Sequence, residues 1–179
     1  MTQPQTTSPT LPSIDVVIMA AGKGTRMKSK LPKVLHRLAG RALLQHVVDT
    51  ASELKVRQVV VITGHGAIEV EASLAVPAGA MATFGINFVR QEPQLGTGHA
   101  VQQAVPVLQD DGIVVVLSGD VPLTRANTLQ ALIEACGGDK LALLTIDFAN
   151  PTGYGRIERL GNAVQAIVEQ KDANAAQLA

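Results

Sequence analysis

Five short apolar runs, rich in β-branched residues, punctuate the chain: Ile14–Ala20, Gln58–Thr63, Ile86–Val89, Ile113–Leu117 and Leu141–Asp147. Each has the length and composition of a strand. Between most of them the apolar positions change to the three-and-four spacing of an amphipathic helix, over Ala42–Leu54, Gly66–Leu74, Thr97–Leu108 and Asn127–Cys136. Strands that are apolar almost without interruption and alternate with helices predict a mostly parallel sheet covered on both faces, a Rossmann-like, doubly wound α/β fold. Further on, Gly155–Leu160 and Val164–Glu169, joined through Gly161-Asn162, predict an antiparallel hairpin on the flank of that sheet. Residues 1–13 hold three prolines, several Thr and Gln, and no charged side chain, as expected of a disordered leader. The folded domain is therefore expected over 14–179.

Composition narrows the class. A chain of 179 residues with 46% hydrophobic residues suits one domain with a full core. Three phenylalanines and one tyrosine leave that core aliphatic and provide no stacking platform for single-stranded nucleic acid. The one cysteine, Cys136, excludes an internal disulfide and a Cys-rich zinc site, and its apolar context predicts a core or helix-end position. No stretch has the length and hydropathy of a membrane span, and the first residues lack the pattern of a signal peptide. A cytoplasmic protein with neither a nucleic-acid nor a membrane partner is the expectation.

Charge changes the picture more. Fifteen basic and fifteen acidic residues cancel, yet between Val16 and Val48 lie seven bases and no acid: Lys23, Arg26, Lys28, Lys30, Lys33, Arg37 and Arg41. A local positive field on a neutral protein suits a small polyanion better than a nucleic-acid duplex. For Lys28, Lys30 and Arg41, a solvated basic face is the simpler reading.

The stretch Met19-Ala20-Ala21-Gly22-Lys23-Gly24-Thr25-Arg26-Met27, continued by Leu31-Pro32-Lys33, begins where the first predicted strand ends. Small residues there admit close backbone approach of a ligand, and glycines let successive N–H groups converge on phosphate oxygens. A turn that needs glycine only for its geometry is the plainer alternative, and the interspersed cations favour phosphate. Met27 replaces the third glycine of the dinucleotide pattern G-x-G-x-x-G, which speaks against a nicotinamide dehydrogenase. No G-x-x-x-x-G-K-[ST] run occurs, so an ordinary P-loop is excluded. Ligands in this fold class bind beyond the carboxyl ends of the strands.

At another such end, Val114–Leu117 leads through Ser118 and Gly119 to Asp120, and Pro122 stops the strand. A carboxylate beside a phosphate loop repels its ligand unless a cation lies between them. Mg²⁺ suits that place, since one or two carboxylates and substrate phosphates commonly hold it. Otherwise Asp120 is a cap or turn residue. In Gln91-Glu92-Pro93-Gln94-Leu95-Gly96-Thr97-Gly98-His99, Gly96 and Thr97 supply backbone N–H groups at a helix start, and Gln91 and Gln94 add amides suited to a pyrimidine edge. A simple helix cap fits the same residues. His99, inside the following helix, reads as structural, and His36, His46 and His65 form no metal-ligand spacing. Pro151–Ile157 is a glycine-bearing turn suited to close approach of a sugar or to opening a hairpin, and Glu169 could accept from sugar hydroxyls.

These motifs in order, AAGKGTRM with LPKVLH, then QLGTGHA, GDVPL, NPTGYGRI and IVEQKD, make the chain resemble the sugar-phosphate nucleotidyltransferases. Within them it is most similar to the uridylyltransferase part of the bifunctional UDP-N-acetylglucosamine pyrophosphorylase/glucosamine-1-phosphate N-acetyltransferase family, from Ile14 to about Asp172. The resemblance implies Mg²⁺-dependent uridylyl transfer from UTP to N-acetylglucosamine-1-phosphate, for cell-wall precursors such as peptidoglycan and lipopolysaccharide. It implies that Met19, Ala20, Ala21 and Gly22 hold the uridine side, with Ser118 and Gly119, and that Gln91, Gly96 and Thr97 recognise uracil. Arg26 and Lys33 would be the catalytic cations, Asp120 the Mg²⁺ ligand, and Gly155 and Glu169 the sugar contacts. Ser118 stands where many relatives have tyrosine. Relatives continue into strands carrying two asparagines, a sugar contact and a second Mg²⁺ ligand. A left-handed β-helix follows, bearing the acetyltransferase and the trimer contacts. This chain stops before both, so the resemblance implies a domain incomplete at its C-terminus. A cytidylyl- or guanylyltransferase, or a fragment that binds nucleotide without turnover, is the alternative.

Overall fold

The computed structural model describes residues 12–24, 27–75 and 85–178. Most of the predicted leader, residues 1–11, lies outside them, as does Arg26. The chain divides between Ala142 and Leu143 into two compact units.

In the first unit, β1 (Ser13–Met19) leads through a loop and a 3-10 turn (Lys33–Leu35) to a two-residue ribbon, β2 (Arg37–Leu38) with β3 (Arg41–Ala42). Then follow α1 (Leu43–Ser52), β4 (Gln58–Thr63), α2 (Ala67–Ser73), β5 (Gly85–Arg90), α3 (Thr97–Ala104), β6 (Gly112–Ser118) and α4 (Ala126–Cys136). The second unit holds β7 (Arg156–Leu160), β8 (Ala163–Val168) and the short α5 (Ala175–Leu178). Strands β5-β4-β1-β6 form an all-parallel sheet, with Val17 level with Val60 and with Val116. Crossovers with a helix on them are what parallel pairing requires.

Hydrophobic burial explains the layering. Val16, Val17 and Ile18 of β1 and Val59–Ile62 of β4 have no exposed surface, as both faces of the central strands are covered. On one face, Val16, Ile18, Val59 and Val61 pack with Leu44, Val47, Val48 and Ala51 of α1, Val70 of α2, and Leu129 and Ile133 of α4. The α1 positions fall at the spacing of a single helix stripe, which is why that segment folds as it does. On the other face Val17, Val60 and Ile62 meet Ala100 and Ala104 of α3.

Three expectations are corrected. Leu141–Asp147 forms no strand: it has no ladder partner among the described residues, and Leu141 and Ile146 are exposed by 86% and 71%. Apolar composition alone does not make a strand without a neighbour to take its N–H and C=O groups. Coverage of both faces holds only at the sheet centre, because Val114 and Val116 of the edge strand β6 are 40% and 43% exposed. The helix predicted to Leu108 ends at Ala104, where the Pro106-containing 3-10 turn Val105–Val107 takes over. The predicted hairpin exists, but as a two-stranded sheet of its own. No helix among the described residues is long and apolar enough to cross a membrane.

Beside the sheet edge, Glu71 of α2 accepts from Arg90 Nε and Nη2 of β5, each at 3.2 Å, and from Thr63 Oγ1 at 2.9 Å. The Arg90 hydrogen bonds, chiefly, hold its carboxyl below the usual glutamate range despite the opposing cost of burial. A carboxyl whose pKa is lower folded than unfolded stabilises the fold above its unfolded value and loses that contribution as pH falls through the folded one. Acid titration followed by circular dichroism is therefore expected to show stability falling below the ordinary glutamate range. Glu71→Gln should flatten that part of the curve, by a modest amount because Arg90 is half exposed. An unchanged acid limb in the variant would remove Glu71 from the account.

Candidate active site

Parallel topology sends the segments after β1, β4, β5 and β6 to one edge of the sheet, where most of the residues singled out by the sequence collect. The connections among them can be followed in order.

After β1, the Ala20 N–H is taken by Ile62 O of β4 at 2.8 Å, and Met19 O accepts from Gly119 N at 3.0 Å. The N–H groups of Ala21, Gly22, Lys23 and Gly24 donate to nothing among the described residues. Successive N–H groups with no partner among the described residues, just after a buried strand, are donors available to an anion. Gly24 sits at φ +59°, and a Cβ there would lie 2.7 Å from Lys33 Cβ, so the loop folds onto Lys33 only because this position is glycine.

Lys33 opens the 3-10 turn after Pro32, and its ammonium pairs directly with the Asp120 carboxylate. Asp120 is delivered by the chain leaving β6 through Ser118 and Gly119. The predicted phosphate cation and the predicted metal ligand are thus in contact, which the sequence did not anticipate. Lys33 is partly exposed and Asp120 less so, leaving the pair open to exchange with a ligand.

After β5, Gln91 continues the ladder by donating its N–H to Thr63 O at 2.8 Å. Its side chain is 3% exposed. The amide nitrogen donates to Gly96 O at 2.9 Å and lies 3.2 Å from His99 Nδ1. Gly96, with φ +101°, caps α3 without a side-chain bond, and the N–H groups of Thr97 and Gly98 at the helix start have no partner among the described residues.

Gly64, after β4, was not singled out by the sequence and links these segments. A Cβ on it would lie 2.7 Å from Gln94 Nε2 and 3.0 Å from Ala21 Cβ, and the next residue, His65, donates its N–H to Ala21 O at 3.3 Å. The signal was present: Thr63-Gly64-His65-Gly66 puts a glycine directly after a buried strand, as Gly119 does. Ala21 thereby joins the phosphate loop to the Gln91–Thr97 segment, and Met19 joins it to Gly119 and Asp120.

Two predicted residues belong to the second unit. Gly155 precedes β7, and a Cβ there would touch Val168 O at 3.4 Å. Glu169 follows β8, is exposed, and its carboxylate has no partner among the described residues. Cys136 ends α4, with Sγ 2.9 Å from Lys140 O. Among the described residues, every predicted nucleotide, phosphate and metal residue lies within the first unit.

Residues 16–176 match the MobA-like NTP transferase domain family. The chain is 79% identical over 164 residues to "Bifunctional protein GlmU" of Albidiferax ferrireducens, covering 92% of this chain and 35% of that protein. It spans about a third of the length of the curated relatives it matches. Among solved structures, UDP-glucose pyrophosphorylase from Acinetobacter baumanii superposes with a TM-score of 0.69 at 22% identity, over 88% of this chain and 68% of that one. Rv0371C from Mycobacterium tuberculosis, in complex with manganese, gives 0.55 at 21% identity, over 72% and 62%. At these identities the superpositions establish the shared nucleotidyltransferase fold.

Proposed function

We propose a substrate pair for a chain that belongs to the MobA-like NTP transferase family, and so to the nucleotidyltransferases: UTP and N-acetylglucosamine-1-phosphate. The observation that carries this reading is a chain of links: Gln91 to Thr63, His65 to Ala21 in the loop after β1, and Gly24 of that loop to Lys33, which pairs with Asp120. That arrangement supports reading the Gln91 amide as facing the base and the Ala21–Gly24 loop with Lys33 and Asp120 as facing the phosphates. The high identity to a bifunctional GlmU protein supports the uridylyl branch.

The reaction is in-line attack by a phosphate oxygen of the sugar phosphate on the α-phosphorus of UTP. The bond to the α–β bridging oxygen breaks and pyrophosphate leaves. That oxygen is already anionic at neutral pH, so no side-chain nucleophile is needed. Rate then depends on alignment and on neutralising charge. Gln91 and the N–H groups of Gly96 and Thr97 orient the base, with Met19, Ala20, Ala21, Gly22, Ser118 and Gly119 on the nucleoside side. The free N–H groups of Ala21–Gly24 hold phosphate oxygens, and Lys33 and Arg26 offset the charge that builds on the leaving group. Asp120 fits a divalent cation, because it already attracts a stand-in cation in the Lys33 ammonium. No cluster of three or more metal-ligating side chains occurs among the described residues. A single carboxylate suits Mg²⁺, which keeps waters and takes its other ligands from phosphate. When bound, that ion supplies charge neutralisation across the α-phosphate and the departing pyrophosphate. We assign Gly155 and Glu169 to the sugar. UDP-N-acetylglucosamine made this way serves cell-wall precursor synthesis in the cytoplasm, and the full-length protein is proposed to be a trimer that also transfers acetyl groups.

Pyrophosphate release tests this with UTP, CTP and GTP, each with Mg²⁺ and with or without N-acetylglucosamine-1-phosphate. Release requiring both UTP and the sugar phosphate is expected. Release with CTP or GTP in preference would move the chain to a neighbouring branch. Selective UTP binding without release would make it a nucleotide-binding unit.

A further inference from the structure

We infer that His99 is a positioning residue that sets base selectivity by occupying the second N–H of the Gln91 amide. The inference rests on the assignment of Gln91 to the base. It starts from the two contacts of that amide nitrogen, 2.9 Å to Gly96 O and 3.2 Å to His99 Nδ1. A backbone carbonyl can only accept, so the NH₂ end, not the oxygen, faces Gly96. The second N–H then points at His99 Nδ1, which must accept, and the imidazole carries its proton on Nε2. That nitrogen lies 3.2 Å from Gln103 Nε2 one helical turn on, which also donates to the His99 carbonyl oxygen at 3.0 Å, so a proton on His99 Nε2 requires the part-buried Gln103 amide to turn away from one of these two contacts.

The consequence is chemical. Gln91 is almost wholly buried and both its N–H bonds are committed, so a base meets only Oε1, a pure acceptor. A uracil edge presents a donor, N3–H, and matches it. Cytosine presents an unprotonated N3 at that place, acceptor against acceptor, and is rejected. Guanine also carries a ring N–H and is not excluded by this device. With His99 removed, the second N–H is released and the side chain loses one of its two anchors, so cytosine N3 gains a donor. Helix α3 thus does more than cap the site: its third residue fixes what the strand-end glutamine can read.

The test is displacement titration of UTP and CTP on the whole chain and on two variants. His99→Ala is expected to cut the preference for UTP over CTP by about tenfold or more, since one mispaired buried hydrogen bond costs at least that much. His99→Asn, which restores an acceptor near the Nδ1 position, should recover most of it. A preference unchanged in His99→Ala, or equal weakening of both nucleotides in both variants, overturns the inference and leaves the uracil assignment standing. Wild-type protein without a preference for UTP removes that assignment, and this inference with it. Imidazole ¹⁵N shifts of the wild-type protein give a second readout that needs no variant: the proton on Nε2 is expected, and the opposite tautomer overturns it.

Discussion

Replacing Lys33 by methionine is expected to lower uridylyl transfer by roughly a hundredfold to a thousandfold, the usual loss for one charge-stabilising group in a transition state. The same change should strengthen, not weaken, the protein's hold on Mn²⁺ measured without nucleotide. The two effects have opposite signs because of the Lys33–Asp120 pair. With no other ligand present, the ammonium occupies the carboxylate that a divalent cation needs, so the two compete for Asp120. Methionine keeps most of the side chain and its packing under Gly24 but removes the competing ammonium. Asp120→Asn should lose both properties, transfer and metal binding. Electron paramagnetic resonance of Mn²⁺, set beside pyrophosphate release, separates the outcomes. A Lys33→Met protein that binds Mn²⁺ more weakly than wild type would refute the competition.

The largest effect on stability is expected at the opposite end of the sheet. Asp15 of β1 is 1% exposed, and its two oxygens accept from Arg57 Nε at 2.9 Å and Nη2 at 2.6 Å. The same guanidinium reaches Asp111 Oδ1 at 2.6 Å and Gln109 Oε1 at 2.9 Å, and the Arg57 N–H donates to Ile14 O at 2.8 Å. One side chain thereby ties together the amino ends of β1, β4 and β6. Hydrogen bonds donated to Asp15 and then to Asp111 raise the pKa of the guanidinium further, and Arg57 in turn holds the Asp111 carboxyl below its usual range. Arg57→Met leaves a fully buried carboxylate unpaired, a change that costs far more than the pair itself contributes. Thermal unfolding at neutral pH should show a fall of roughly 10 °C or more. Asp15→Asn is expected to cost less, since a buried amide is cheaper than a buried charge. The double variant Asp15→Leu/Arg57→Met should recover part of the loss, and a double variant as unstable as Arg57→Met alone would argue against this explanation. Nucleotide binding below the transition should be untouched, because the network lies at the other edge of the strands.

What the chain determined locally was legible in it. Val16–Ile18 and Val59–Ile62 are strands because an uninterrupted aliphatic, largely β-branched run leaves few other ways to bury both faces. The α1 stripe at Leu44, Val47, Val48 and Ala51 follows from its spacing, and the small residues after Met19 marked the loop that leaves β1. Those features depend on neighbours along the sequence. The rest depended on strand order. Placing β1 between β4 and β6 is what puts Asp120 against Lys33 and Arg57 against Asp15, pairs far apart in the chain with no local mark of their partnership. Gly64 stood out only once the fold laid Ala21 and Gln94 across it. His99 read as a structural helix residue until β5 and α3 brought the Gln91 amide to its ring. Leu141–Asp147 shows the converse, a strand-like run that forms no strand because no neighbour among the described residues pairs with it. Propensity is carried by each residue and its near neighbours, whereas a ladder, an ion pair or a shared amide needs a partner, and only the tertiary arrangement supplies one.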